Sequence, residues 1–411
     1  MKNIIYLIVF IIAAQLSVYS QTPTKWRGPN ANGIYNDTGL LKEWPTEGPS
    51  ISWVHEGIGE GYSSPAFANE KIYLSGMIDS IGYLRILTLE GKLIDTISYG
   101  LEWYGNYPGA RSTPTVVDNL IYLLNSQGSI ICIDEEQSTV KWSKDILKEY
   151  SAENLKFGIT ESVVVDGDVV YCTPGGKHAI VALNRFTGEE IWASDEKGEK
   201  SAYCTPLLAN FPKRDILFTH TSSHIIAVDK KSGELIWDHP YKSQRGVQPN
   251  TPILYKGDLY CVAGYGHYGI KLNLDEQGNK VEEAWIDSIL DCKMGGPVII
   301  DDHIYGSSDK KRKWHCINWE TGKQTYVDKT IAKGIVIAAE GMLYCYSEKG
   351  ELALVKATPE AFTPSGLIKV TQGTGHHFAH PAINEGVLYL RHGDVVIAYD
   401  IKKHEPNNTN N

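Results

Sequence analysis

Apolar positions along this chain fall into short alternating runs, each four to eight residues long and bounded by Gly, Asp, Asn or Ser. That alternation is the pattern of half-buried strands, and no long helical stripe interrupts it. Eight times the second run of a group contains a conspicuous apolar pair: Ile72–Tyr73, Ile121–Tyr122, Val170–Tyr171, Ile216–Leu217, Leu259–Tyr260, Ile304–Tyr305, Leu343–Tyr344 and Leu388–Tyr389. Neighbouring pairs recur at a period of about 45 residues. A period of that length built from strands and tight turns predicts an all-β chain folded as a single β-propeller.

Each unit parses into four strands, A to D. In the fourth, strand A is Thr205 to Leu208, strand B centres on Ile216–Leu217, C runs Ile225 to Val228 and D runs Leu235 to Trp237. The C–D turn, Asp229 to Gly233, has an Asp to bond the backbone and a Gly for the left-handed return. The third unit repeats this from Ala182 through Gly188 to Trp192, and the second and sixth units follow it more loosely. A single four-stranded sheet cannot bury both faces, so neighbours must stack. The regularly phased Trp142, Trp192, Trp237 and Trp285 are expected at those contacts.

The final unit ends after strand C, Val395 to Tyr399. Its missing outer strand is expected from Ile51–Ser52–Trp53–Val54, which carries its own Trp. Closure by that N-terminal strand leaves no open sheet edge between first and last units. The expectation is an eight-bladed propeller of four-stranded blades over residues 50–403, with residues 21–49 packing on the ring and 404–411 a disordered tail.

Composition narrows the picture. Net charge is −10 with no run of Lys and Arg, which argues against nucleic acid as a partner. Residues 1–20 read as a signal peptide: Lys2 is followed by eleven apolar residues, Ile4 to Ala14, with Val18 and Ser20 at a cleavage site. The apolar stretch is too short for a membrane span, so the expectation is an exported monomer, periplasmic or extracellular. Seven cysteines in such a protein would suggest disulfides. Cys172, Cys261 and Cys345 instead share one strand position in different repeats, and Cys132 and Cys316 share another. Equivalent positions in separate blades are too far apart to bridge, so these five are read as core residues.

The offsets Ala-x-Asp/Asn-x-x-Thr/Ser-Gly-x-x-x-Trp in units three and four resemble the tryptophan-docking motif of the quinoprotein alcohol dehydrogenase-like propellers, the PQQ-repeat family. The segments Trp26–Arg27–Gly28–Pro29, Glu43–Trp44–Pro45 and Gly61–Tyr62–Ser63–Ser64–Pro65 are similar to those of its secreted bacterial members. The layout is also similar to the outer-membrane β-barrel assembly lipoprotein propeller, which the resemblance implies binds no quinone.

Loops entering strand A converge on one mouth of a propeller, and hydrogen-bonding groups gathered there make a ligand-site hypothesis. The candidates are Trp103, Arg111, Glu161, Tyr203, Arg245, Gln248, Asn250, Lys293 and His377, with Tyr62, Ser63, His376 and His380 nearby. The resemblance implies that an enzyme of this family would hold PQQ with calcium. Glu161 and Asn250 would then supply metal oxygens, and Arg111 or Arg245 would face the quinone. No Asp stands before a strand A as base, and neither a vicinal Cys pair nor a haem-attachment motif is present. The expectation is therefore no cofactor, no catalytic or metal residues, and a binding scaffold that holds a protein segment or a cell-envelope ligand at the mouth or blade edges. The alternative is a PQQ- and calcium-dependent dehydrogenase of alcohols or sugars. A carbohydrate-binding accessory role through Trp103 is a third reading. Gly264-x-Gly266-x-x-Gly269 matches a dinucleotide fingerprint but joins two strands, with no helix to follow. His376 and His380 share a face of an extended segment, and a polar rim role is preferred over metal.

Overall fold

The computed structural model describes residues 22–404. The expected leader, and the tail beyond His404, lie outside these residues. Eight four-stranded antiparallel sheets follow one another along the chain, and the last is completed by the N-terminal strand Ile51–His55. That strand pairs with Val395–Asp400, placing Ile51 opposite Tyr399 and Trp53 opposite Ala398. The fold is an eight-bladed β-propeller.

One row of side chains crosses strands B, C and D of each blade in register. It reads Tyr122–Cys132–Trp142 in blade 2, Tyr171–Ala182–Trp192 in blade 3 and Tyr260–Lys271–Trp285 in blade 5. Blade 4 reads Phe218–Ala227–Trp237, so its signature pair is Leu217–Phe218, one residue beyond the Ile216–Leu217 of the sequence reading. Within the row the strand-B ring meets the strand-D indole at 5.7–6.3 Å between centroids in blades 2 to 5.

The indole also reaches the next blade. Its N–H donates to a carbonyl of the neighbouring C–D turn: Trp53 to Leu89, Trp142 to Arg185, Trp192 to Lys230, Trp237 to Gly278 and Trp285 to Trp319, all at 2.9–3.1 Å. The turn glycine lies flat under the ring. A Cβ on Gly233 would stand 2.5 Å from the Trp192 ring, and its φ of +78° is left-handed, so both sterics and backbone require Gly there. The repeating Trp and the repeating Gly are thus two halves of one contact between successive blades.

Three junctions depart from it. Blade 6 carries Tyr326, which packs near Phe362 in the turn of blade 7. In blade 7 the outer position is Gly366, opposite Leu354. Trp44, from the segment before the ring, lies over Gly366, 2.6 Å from where its Cβ would be, and 6.3 Å from the Tyr344 ring. Its backbone N–H donates to Ser365. An indole from outside the repeat therefore occupies the place that blade 7 does not supply. In blade 1 the outer position is Asp95, opposite Ile86.

The segment preceding the ring is threaded onto it. Ile34–Tyr35 adds a parallel strand beside Gly334–Ala339 of blade 7, a pairing that sequence alternation does not announce. Arg27 is fully buried and donates to the carbonyls of Gly296 and Pro297, at 2.9 and 2.8 Å. Arg391 is equally buried and donates across the closure to Gly59, Ser63 and Ser75 of blade 1. Burial without a carboxylate partner pushes both guanidinium groups down to about 10. Beside blade 3 lies an extra two-stranded antiparallel ribbon, Gly175–His178 with Glu196–Lys200, whose strands flank strands C and D in the chain. All seven cysteines are buried free thiols.

Trp44→Ala should destabilise the protein by about 3 kcal/mol, as for truncation of a core tryptophan. Trp103→Ala, on a half-exposed loop, should cost under about 1 kcal/mol. Urea unfolding followed by circular dichroism measures both, and equal midpoints would refute a docking role for Trp44.

Candidate functional site

The loops entering the inner strands surround a cavity of about 220 Å³ at one end of the ring. Hydrogen bonds stitch its wall together. The backbone N–H of Ser64 donates to Thr113 Oγ1, that of Thr113 to Ser162 Oγ, and that of Ser162 to Thr205 Oγ1, each at 2.9–3.0 Å. Thr251 Oγ1 continues the series by donating to the Thr205 carbonyl at 2.9 Å. These hydroxyls lock successive blades at one radius and leave Ser162 and Thr205 on the cavity surface.

Above them lies an aromatic collar. Tyr62 and Phe378 are 5.7 Å apart, Tyr107 lies 6.0 Å from Phe378 and 6.2 Å from Phe157, and Phe157 lies 6.2 Å from Tyr203. Trp26, from the segment before the ring, meets His380 edge-on at 4.9 Å. Two cations sit among the rings. Arg111 lies 5.6 Å over Tyr62 and bonds the carbonyls of Asn106 and Tyr107. Lys293 lies 5.6 Å over Tyr265 and 3.2 Å from Asp309. Among the described residues, none that lines the cavity is a carboxylate. Burial raises the phenols of Tyr62, Tyr203 and Tyr265. Burial beside Arg27 also pushes His380 down to about 3, and its Nε2 bonds the Met294 carbonyl.

Of the nine candidates from sequence, Arg111, Tyr203 and Lys293 line this cavity, and the other six do not. Trp103 packs on its own loop, its N–H donating to Asn106. Arg245 is exposed, over Tyr265 at 4.7 Å. Gln248 is buried and donates to the Tyr241 carbonyl. His377 is stacked on His392 at 3.7 Å and bonded to Tyr346. Glu161 and Asn250 lie below the surface, each committed to the wall. Thr173 donates its backbone N–H to Glu161 at 2.8 Å and its hydroxyl to the other oxygen. Asn250 donates to Val262 and Cys292 at 2.9 and 2.7 Å. Loop position places a residue near the mouth but not which way it faces: along the lead-ins to the inner strands, Thr160, Ser162, Val247 and Pro249 line the cavity while the alternate residues Glu161, Gln248 and Asn250 turn into the wall.

Trp26, Tyr107, Phe157 and Tyr265 line the cavity without having been singled out from sequence. Tyr107 shares its loop with Arg111 and Phe157 follows Lys156, a signal present in the sequence, whereas Trp26 and Tyr265 come from segments outside the loops entering the inner strands. A calcium ion calls for six to eight oxygens. With Glu161 already bonded twice and Asn250 offering only Oδ1 unpartnered, the residues present do not fit a calcium–quinone centre. Among the described residues, no group of three His, Cys, Asp or Glu is arranged to hold a metal ion.

A family model described as outer membrane protein assembly factor BamB matches residues 100–326. The outer membrane protein assembly factor BamB of Kangiella koreensis is 26% identical over 162 residues, 39% of this chain and 37% of that relative. The match thus spans little more than a third of the relative's length. Among solved structures, BamB from Moraxella catarrhalis superposes with a TM-score of 0.60 at 13% identity, over 84% of this chain and 96% of that one. Quinohemoprotein alcohol dehydrogenase from Comamonas testosteroni superposes with a TM-score of 0.62 at 11% identity, over 88% and 78%. Identities this low speak for the fold alone.

Burial raises the Glu161 carboxyl to about 7, against the two bonds from Thr173 that lower it. A raised acid favours the fold while protonated. Its contribution is complete below its unfolded value near 4.5 and is lost as pH rises through about 7. Wild type should therefore lose on the order of 3 kcal/mol relative to Glu161→Gln between those limits. Urea midpoints of both proteins from pH 5 to 8 test this; a constant difference would refute it.

Proposed function

Because the chain belongs to the family whose model is described as outer membrane protein assembly factor BamB, we propose that it is an exported, non-catalytic scaffold of the cell envelope. Its mouth holds an extended polypeptide segment of a partner in outer-membrane protein assembly. The observation that carries this reading is the lining itself, which combines an aromatic collar, two cations and no carboxylate. Aromatic rings give contact area at low entropic cost, and Arg and Lys select a segment bearing acidic side chains or a terminal carboxylate. Export rests on the leader read at residues 1–20. Among the described residues no helix is long and apolar enough to cross a membrane.

The same lining speaks against oxidation chemistry. A general base works best near the operating pH. His380, held neutral down to about 3, is too weak a base, and the cavity's tyrosines are too weak as acids. The second reading, a PQQ- and calcium-dependent dehydrogenase, is supported by the shared fold and by 23% identity over 244 residues to a quinoprotein alcohol dehydrogenase.

A photoreactive phenylalanine analogue in place of Phe378 should give, in the native host, an adduct with an outer-membrane assembly component. The adduct should disappear when Arg111→Glu and Lys293→Glu are combined. Adding PQQ with calcium should give no dye-coupled oxidation of alcohols or aldoses; turnover abolished by Glu161→Ala would establish the enzyme instead.

A further inference from the structure

Seven of the eight blade junctions are sealed by an aromatic ring, five of them by the outer-strand Trp, one by Tyr326 and one by Trp44. The eighth, between blades 1 and 2, is not. Asp95 stands at the outer position where every other row except that of blade 7, which has Gly366, ends in an aromatic residue. In blade 2 the motif glycine is replaced by Ser138, in the same left-handed conformation with φ of +53°. The two changes answer each other: Ser138 Oγ donates to Asp95 Oδ2 at 2.5 Å, across the space an indole and a glycine would share. With no ring to fill it, a groove remains between the two blades, lined by Ile86, Ile94, Lys71, Asn119, Glu135 and Asp95.

We propose that this groove is a docking place for an aromatic side chain supplied by a partner polypeptide with flanking basic residues. Trp44 shows the principle within the chain, where an indole from outside the repeat occupies the place that blade 7 leaves without one. Three features give the occupant its character. Ile86 forms an apolar floor, and Ile94 stands 48% exposed at the lip. The Glu135 backbone carbonyl, which accepts from the Ser138 N–H at 3.2 Å with one lone pair, occupies the position that accepts the indole N–H at four of the five tryptophan junctions, three residues beyond the strand-C member of the row. Charge is acidic, because Asp95, Glu135 and Glu136 face a single cation, Lys71, already paired with Glu135 at 2.6 Å. Beside the groove, Leu93–Leu101 is a nine-residue outer strand whose outer edge has no partner among the described residues, ready to pair with an added strand. The mouth selects acidic segments and this rim selects basic ones, so the two could engage different stretches of one partner. The inference rests on the scaffold reading only in requiring a partner; its place and chemistry come from the docking row.

The test uses the full chain and a synthetic probe, the blocked peptide Lys–Trp–Lys–Ile with a 5-fluorotryptophan. Its fluorine resonance should broaden with wild-type protein and sharpen again at high salt. The double variant Asp95→Trp/Ser138→Gly, which supplies the missing ring and its glycine seat, should abolish the broadening without lowering the thermal midpoint. Glu136→Lys, on an exposed side chain, should weaken binding several-fold. Because the double variant leaves every mouth residue unchanged, its loss of binding separates this site from the mouth. No broadening with wild type, broadening that survives in the double variant, or a midpoint lowered by many degrees would each overturn the proposal.

Discussion

The ring depends on one contact, an indole laid on the neighbouring blade's turn with its N–H capping a turn carbonyl. A four-stranded sheet exposes apolar side chains on both faces, and alone it would be unstable in water. Each docked ring removes on the order of 150–250 Å² from water, roughly 4–6 kcal/mol of gross hydrophobic gain. The hydrogen bond makes that gain directional, fixing the angle between blades. Closure then comes from the Trp53 strand and from Arg391, which binds carbonyls of blade 1 from blade 8. With blade angles and closure set, the loops entering the inner strands have no choice of where to meet.

The architecture was legible in the residues because its determinants are local and repeated. Alternation marks strands, Gly and Asp mark turns, and Trp at a fixed offset marks the outer strand. The closing strand could be read because Trp53 carried the outer-strand signature where the last repeat lacked one. What could not be read were contacts made once. Trp44 sits in a segment with no periodicity, and its role emerges only when Gly366 is seen in the outer position of blade 7. The Ile34–Tyr35 strand is too short to alternate. The two-stranded ribbon beside blade 3 pairs segments far apart in the chain and made of Gly and charged residues that mimic loops.

The site was legible to a different degree, for a geometric reason. Sequence identifies loop membership, but facing is decided by strand phase at the loop's end. Arg111, Tyr203 and Lys293 emerge on the cavity side. Glu161 and Asn250 sit in the extended segments ahead of the inner strands Val164–Asp166 and Ile253–Tyr255, next to the cavity-lining Ser162 and Pro249 and opposite to them in phase, so their polar groups turn into the wall and meet Thr173, Val262 and Cys292. Charge and amide content drew attention to the loops; the residues that shape the cavity are instead aromatic. A search weighted toward rings next to cations would have found Tyr107 and Phe157, but not Tyr265, whose cations Arg245 and Lys293 are neighbours only in space.

A chain with net charge −10 has nonetheless built a mouth without an exposed carboxylate. The carboxylates nearest to it are spent. Glu102 is buried and its carboxyl oxygens are taken up in accepting from Tyr99 and Ser126, while burial raises its pKa. Asp309 is shared between Lys293 and Lys333. Arg27 and Arg391, bonded to carbonyls rather than to acids, keep their positive charge below the surface. In a concave, low-dielectric opening such charges are screened less than they would be on the convex rim. The result is a positive, ring-lined opening in an otherwise acidic molecule, with an acidic groove at one blade junction outside it. A partner that reads both must itself alternate in charge, and that alternation would set its orientation on the ring before any close packing is made.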